Sequence, residues 1–272
     1  MDKRRVLIVG LDNSDVQSIK QDLGFEYLFL HYEVLPKVQL VEGKLFVESI
    51  SVQGKYLSVD IVIFHGIFEN DFDFLTLLAL WNGPCLPNAF GMMDLRQRIP
   101  GLVRALSVSK FSKLKRGMVL GQEEYYSENE SVAKWGVWHC GEDKERFTGS
   151  WESKETSVVE EFISGEAVRI MLIGDKSWQI KLTGDTWLKS IHHKDSIAMN
   201  IDSELAADTR TIANHFDLQI VGVDYMVGQN GQKYLLEVNH IPNVTVFPFI
   251  NEAFIEFSKH WITSIEKNTV RL

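Results

Sequence analysis

Asp224, Glu237 and Asn239 are the residues whose types and spacing point most directly to chemistry. They sit in two apolar runs, Ile220 to Val227 and Tyr234 to Asn239, joined by Gly228-Gln229-Asn230-Gly231-Gln232. Asn-Gly between apolar runs is a strong hairpin signal. With Asn230 and Gly231 as the central turn residues, Gln229 pairs with Gln232, and counting outward sets Asp224 opposite Glu237. Directly opposed side chains lie ~5 Å apart, where like charges destabilise a sheet. Asn239 lies two residues beyond Glu237 and shares its face. Two carboxylates and an amide oxygen on one surface form an all-oxygen donor set. That set suits Mg²⁺, which takes one or two carboxylates and completes its shell with water and phosphate oxygens. The plainer alternative is a solvated pair on an exposed face, which the apolar flanks argue against.

Two cations stand inside apolar strands. Lys134 lies in Ser131 to Trp138, where a buried ammonium is costly unless an anion such as a nucleotide phosphate meets it. The alternative is a stem along the sheet with its head in water. Arg169, in Glu166 to Ile173, suits bidentate recognition of phosphate or carboxylate, or else a structural salt bridge. Lys181 and Lys189 extend the basic side of this region. Val158 to Glu166 reads as a strand that breaks at Ser164-Gly165, where backbone groups can pair with a purine edge and a nearby carboxylate with an amino group or ribose hydroxyls. Plain surface charge is the competing reading of its three glutamates. Lys110, Lys113, Lys115 and Arg116 read as a solvated basic run or a steering surface for an anion. His192-His193-Lys194 reads as a substrate-side loop, and His240 points away from the Asp224 face.

The elements that position these groups follow from periodicity. Residues 5–10 and 59–65 read as buried strands. The first is followed by a helix that opens at Asn13 or Ser14 and carries Val16, Ile19 and Leu23 on one face; 71–82 is a second helix. This first third reads as an open α/β unit with parallel strands, and its lone Gly10 makes no dinucleotide motif. Gly83 to Asn88 is its exit. A helix over 92–108 is interrupted near Pro100-Gly101. Strands follow over 131–138, 156–163, 167–173 and 177–183, with Gly174-Asp175 as a hairpin turn. A helix over 203–216 precedes the metal hairpin, and a closing helix over 251–266 buries Phe254, Phe257, Trp261 and Ile265.

The totals set the class. The chain has 272 residues, 45% hydrophobic and 24% charged, and a formal charge of −9. Such a composition is globular and lacks the basic stripe of a nucleic-acid surface. A bound polyanion would need local cations, because the global field repels it. Cys85 and Cys140 have no histidine spacing for zinc, and a disulfide is not expected in a chain without a secretory signature. No apolar stretch reaches bilayer length. The expected compartment is the cytoplasm, with no membrane partner.

In this order, these residues resemble the ATP-grasp superfamily, on the side of ribosomal-protein glutamate ligases, glutathione synthetases and lysine-biosynthesis carrier-protein ligases. The resemblance covers about 88–250. It is most specific at Gly222-Val223-Asp224 and Leu236-Glu237-Val238-Asn239-His240-Ile241-Pro242, which is similar to the family's G-V-D…E-V-N-x-x-P metal signature. Lys134 looks like the strand lysine that holds ATP phosphates. Glu160, Glu161, Phe162 and Ile163 resemble the hinge that reads adenine, Glu166 the ribose-binding carboxylate, and Arg169 the arginine of a D-I-R element. Lys181 takes the place of a basic residue near the phosphates, and Asp185 to His192 resembles the following aspartate-aromatic-arginine-threonine-asparagine segment, with Ser190 where asparagine is usual. Leu95 stands where the family carries a phosphate-contacting lysine, with Arg96 or Arg98 as substitutes. The stretch after Lys134 holds Gly136 and Gly141 but no G-x-x-G lid.

The resemblance implies a mixed α/β and α+β ATP-grasp fold: a pre-domain over 1–88, a central lobe over 89–163 and a C-terminal lobe over 164–272, with ATP between the two lobes. It implies a carboxylate–amine ligase using ATP and one or two Mg²⁺ ions, with Mn²⁺ as a substitute. Asp224, Glu237 and Asn239 would hold metal, Lys134 and Lys181 the triphosphate, and Arg169 and Lys181 would serve catalysis. The partners would be a small-molecule or peptide carboxylate and an amine, and a homodimer is an assembly the family uses. A small-molecule kinase on the same fold and a nucleotide-binding protein without turnover stay open.

Overall fold

Val6 to Val9 and Ile61 to Ile63 are almost wholly inaccessible to solvent, and such continuous apolar runs bury both faces of a parallel sheet. The computed structural model describes residues 3–136 and 143–269. Expectations that rest on Trp138, Cys140 or Gly141 fall outside those residues. The chain divides into two compact units: Met1–Met93, Asp217–Ile220 and Ile241–Leu272 form one, and Asp94–Phe216 with Val221–His240 form the other.

In the first unit, β1 (Arg4–Val9), β2 (Tyr27–Tyr32), β6 (Ile61–Phe64) and β7 (Cys85–Leu86) form a sheet in the order β2-β1-β6-β7, every pair parallel. Helix α1 (Asn13–Lys20) opens at Asn13, one of the two expected positions. Asp12 is its N-cap, accepting from Asp15 N at 2.9 Å, as a short carboxylate at that position does. A three-stranded meander, β3 (Val38–Val41), β4 (Lys44–Glu48) and β5 (Tyr56–Val59), is inserted before β6. Helix α2 (Asp71–Trp81) joins β6 to β7, and α3 (Ala89–Arg96) leads out of the unit.

The second unit opens with α4 (Arg98–Leu106). The helical stretch breaks at Gln97, ahead of Pro100-Gly101, because Pro100 sits in the first turn of α4, where its missing N–H costs nothing. Strands β8 (Arg116–Val119), β9 (Glu124–Trp135), β10 (Lys144–Glu152) and β11 (Ser157–Glu161) form an antiparallel sheet in the order β10-β9-β11-β8. Residues 162–164 connect to a second sheet, ordered β14-β13-β12-β15-β16. It contains β12 (Gly165–Ile173), β13 (Lys176–Lys181), β14 (Ile197–Met199), β15 (Ile220–Gly228) and β16 (Lys233–Asn239), with α5 (Ser203–His215) between β14 and β15.

The last helix, α6 (Pro248–Thr269), returns to the first unit, so the residues expected as one C-terminal lobe are shared between the two units. Its buried line runs through Ile250, Phe254, Ser258 and Ile262. Of the expected stripe only Phe254 lies on it; Phe257, Trp261 and Ile265 are half-buried. Among the described residues no helix is long and apolar enough to cross a membrane.

Candidate functional site

The hairpin β15–β16 sets Asp224 directly opposite Glu237 and Gly222 opposite Asn239. The route to that register differs from the count made on the sequence. Gly228, not Gln229, pairs with Gln232: Gly228 N donates to Gln232 O and Gly231 N to Gly228 O, both at 2.8 Å. Gly231, at φ +77°, supplies the left-handed residue of a three-residue loop. A second irregularity between Tyr225 and Asp224 leaves Leu236 as an extra residue on β16. Such a bulge adds one residue to one strand and here cancels the displacement made by the turn.

The bulge also turns two carbonyls toward the first sheet. Arg116 Nη2 donates to Leu235 O at 2.6 Å, and Lys134 Nζ to Leu236 O at 3.4 Å. Arg116 is therefore not part of a solvated run; its Nε also donates to Glu160 Oε1 at 2.8 Å. Glu160, 2% exposed, is gripped from the other side by Lys134, itself 8% exposed. Burial pushes the Lys134 ammonium below its ordinary range; Glu160 opposes that shift and Lys144 adds to it. Lys144 stands directly opposite Lys134 across β9 and β10, and its Nζ lies 3.4 Å from Glu237 Oε2. Arg98, buried on α4, brings Nε to 3.8 Å from Glu237 Oε1 and donates from Nη1 to Trp135 O at 2.6 Å. Leu95, Arg98, Lys134, Val158, Leu236 and Glu237 line one cavity.

On the second sheet, Arg169 forks onto Asp224, Nε to Oδ1 at 2.6 Å and Nη2 to Oδ2 at 2.8 Å. Burial works against this guanidinium, but Asp224 holds its pKa above the ordinary value. Asn239 Nδ2 reaches Asp224 Oδ2 at 3.5 Å. Arg169, Asp224, Glu237 and Asn239 thus share one face. The opposite face packs on α5, where Tyr225 OH donates to Asp208 Oδ2 at 3.0 Å.

Lys181 and Glu166 are not brought to the Arg169 face. Val168 pairs with Lys181 and Arg169 with Ile180, so strand alternation turns Lys181 toward the α5 side together with Gln179, whose Oε1 accepts Asp202 N at the start of α5. There Lys181 pairs with Glu166 at 2.6 Å. At the hinge, Phe162 N donates to Glu130 O at 2.8 Å and its ring carries the Arg146 guanidinium at 4.0 Å. Glu161 N donates to Lys115 O, and Ile163 lies against Gly228. In the loop before β14, His193 is fixed by Thr183 Oγ1 at 2.8 Å and Asp185 Oδ1 at 3.2 Å.

Among the described residues no three or more His, Cys, Asp or Glu gather as a metal site. Asp224, Glu237 and the Asn239 amide oxygen on this face are the groups that could hold a hard cation. Two directly opposed carboxylates repel, and all-oxygen ligation suits Mg²⁺. Arg169 pairs with Asp224 and Lys144 with Glu237. Lys144 is the cation that the sequence does not single out; its opposition to Lys134 needs the β9–β10 register.

No protein-family model matches this sequence, and no curated protein matches it. Solved structures do. D-alanyl-alanine synthetase A from Vibrio cholerae aligns with a TM-score of 0.67 at 15% identity, covering 97% of this chain and 98% of that one. The macrocyclase MdnC from Microcystis aeruginosa, bound with precursor peptide MdnA, aligns at 0.59 and 13% identity, over 94% of this chain and 99% of that one. A RiPP-associated ATP-grasp ligase from Chryseobacterium gregarium, in complex with ADP and a leader and core peptide, gives 0.59 at 11% identity and 97% coverage of each chain. At such identities the likeness speaks for architecture, and it runs almost end to end. The chain has the ATP-grasp fold.

Proposed function

We propose that the chain is an ATP- and Mg²⁺-dependent carboxylate–amine ligase that works through an acyl phosphate. The observation that carries this reading is the Asp224–Glu237 pair, faced within one unit by Lys134 and by the Arg169 fork. The similar structures, named as a D-alanyl-alanine synthetase, a macrocyclase and an ATP-grasp ligase, support an amino-acid or peptide carboxylate as substrate. The enzyme would act in the cytoplasm.

Asp224, Glu237 and Asn239 would hold one or two Mg²⁺ ions, or Mn²⁺ in their place. Bound there, the metal supplies charge neutralisation on the phosphate oxygens as the γ-phosphoryl moves. Lys134, poised by Glu160, would hold the triphosphate. The planar fork of Arg169 suits a phosphoryl or carboxylate oxygen, so it would pass from Asp224 to the reacting group. The substrate carboxylate oxygen attacks the γ-phosphorus, the bond to the β–γ bridging oxygen breaks and ADP leaves. The amine nitrogen then attacks the acyl carbon, the carbon–oxygen bond to phosphate breaks, phosphate leaves and the amine's proton goes to solvent. The protein's part is orientation and electrostatics. With Lys181 turned to the α5 side, the catalytic cations reduce to Arg169 and Lys134.

Hydroxylamine tests this directly. With ATP, Mg²⁺ and a panel of amino acids and acidic peptides, the ligase yields ADP and a hydroxamate. Asp224→Asn should lower the hydroxamate rate at least about 100-fold, the usual scale for one lost electrostatic group. ADP without hydroxamate would assign a kinase, and no ADP release across the panel would overturn turnover altogether.

A further inference from the structure

We propose that the free edge of β2 is an interface between two copies of this chain, joined strand to strand about a twofold axis at Leu30. β2 lies in the first unit, which holds none of the charged side chains assigned to the site, so this surface does not depend on the ligase reading. Among the described residues β2 pairs only with β1. Gly10 N donates to Tyr32 O, so the even-numbered residues of β2 turn their backbone groups toward β1. By the alternation of a strand, Phe29 and His31 point their N–H and C=O groups off the sheet. Native edges are blunted by charged side chains, proline or bulges. Tyr27–Tyr32 has no proline and no Asp, Glu, Lys or Arg, and its register with β1 is unbroken. Exposed apolar side chains flank it: Phe25, Leu28 and Val34 on its own stretch of chain, and Ile50 and Val52 between β4 and β5. The Tyr32 hydroxyl donates to Glu48 O, which sets that β4–β5 loop at the end of β2.

Strand geometry and charge favour a second copy as the occupant. Antiparallel pairing of β2 with itself, Leu30 opposite Leu30, sets Phe29 of each copy against His31 of the partner subunit. Such a pair exchanges both of its N–H···O=C bonds, so every backbone group that Phe29 and His31 present is satisfied at once. The two parallel sheets then run on as one. Charge selects this register over its neighbour. Lys20 lies over the Phe29 ring at 5.9 Å, on the face that the odd-numbered residues share. With Leu30 on the axis, Glu33 of the partner subunit falls opposite Tyr27, one pair away from that ammonium. With Phe29 on the axis the two Lys20 ammonium groups would meet, and opposed like charges are unfavourable. Leu28 faces Tyr32 of the partner subunit, on the side that carries Ile50, so the apolar flank is covered twice over, as an isologous contact requires. A foreign strand would use the same backbone groups; the match of Lys20 with Glu33 is what favours self-pairing.

Sedimentation velocity of the full chain over a concentration series reads the assembly. The expected species has twice the 31.2 kDa mass of the chain. Leu28→Lys and Ile50→Lys should each raise the dimer dissociation constant at least about tenfold, because every dimer gains two charges at an apolar contact. Leu80→Lys, on α2 at a position 75% exposed, is the control and should leave the dimer intact. Leu30→Cys under mild oxidant should give a disulfide-linked dimer that the unaltered chain does not give. Residues opposed in a non-hydrogen-bonded pair come ~4.5 Å apart at Cα, within the reach of a disulfide. Ile50 stands on a surface loop, so its variant decides the matter even if Leu28→Lys fails to fold. A monomer at every concentration overturns the interface. So does a dimer that Ile50→Lys leaves intact, or one that Leu80→Lys breaks. A dimer weakened by the lysines but not cross-linked through Leu30→Cys overturns the strand pairing about Leu30.

Discussion

Lys134 and Glu160 hold each other in a buried ion pair. Burial outweighs Glu160 in its effect on the ammonium, and Lys144 adds to the deficit, so the lysine's pKa is lowered on folding. For a base with a depressed folded pKa, the folded state carries a penalty at every pH below that value. The penalty fades as pH rises toward the unfolded value near ~10.4. Lys134→Met removes the charge while Arg116 still neutralises Glu160. The variant should therefore be at least as stable as the unaltered chain in urea at pH 7, with the difference shrinking toward pH 10, while nucleotide binding is lost. A loss of several kcal/mol at pH 7 would instead mean that the ion pair is net favourable. Glu160→Gln is the opposite case. It leaves Lys134 and Arg116 buried without their common anion, and should cost about 3–5 kcal/mol, as removal of one partner from a buried pair does.

At the scale of elements, glycine geometry separates two costs. Gly231 sits at φ +77° with open space where a Cβ would go, so Gly231→Ala should lose only backbone strain, about 1 kcal/mol. At Gly165, a Cβ would lie 2.1 Å from Val227 O, a backbone atom. Gly165→Ala must push β12 away from β15, and should destabilise clearly more in the same denaturation assay. The sheet pairing that these glycines permit is partly legible in the sequence. Buried strands announce themselves by continuous apolar runs, and the apolar flanks around Asn230-Gly231 locate the metal hairpin even though its turn and bulge each displace the count by one. The meander β3–β5 and the strand β10 are not legible in that way. β10 (Lys144–Glu152) is a charge-rich edge strand whose aromatic residues, Phe147 and Trp151, recur at four, and its partner is bulged opposite it. Gly149 stands between the two aromatic residues on the same face, so the period of two that marks a strand shows at only two apolar positions. Without β10 there is no reason to single out Lys144. That Glu166 lies off the Arg169 face is legible in principle: three residues before Arg169 on one strand, it belongs to the other face.

At the scale of the whole molecule, every charged side chain assigned to the candidate site lies in the unit formed by Asp94–Phe216 and Val221–His240. The chain leaves that unit one residue after Asn239 and ends in α6, in the unit that contains β1 to β7. A ligand that binds only the folded form stabilises it by about 2.7 kcal/mol at a hundred times its Kd. That free energy acts on the opening reactions of the segments holding the ligand, because stability is not uniform across a chain. Amide hydrogen exchange with saturating Mg²⁺ and ATP should therefore slow in β9, β12, β15 and β16. The meander β3–β5, which contributes none of these side chains, should exchange at its ligand-free rate. Protection concentrated in β1 to β6, with β9 and β16 unchanged, would move the nucleotide to the first unit and leave the Asp224–Glu237 pair as a structural ion cluster.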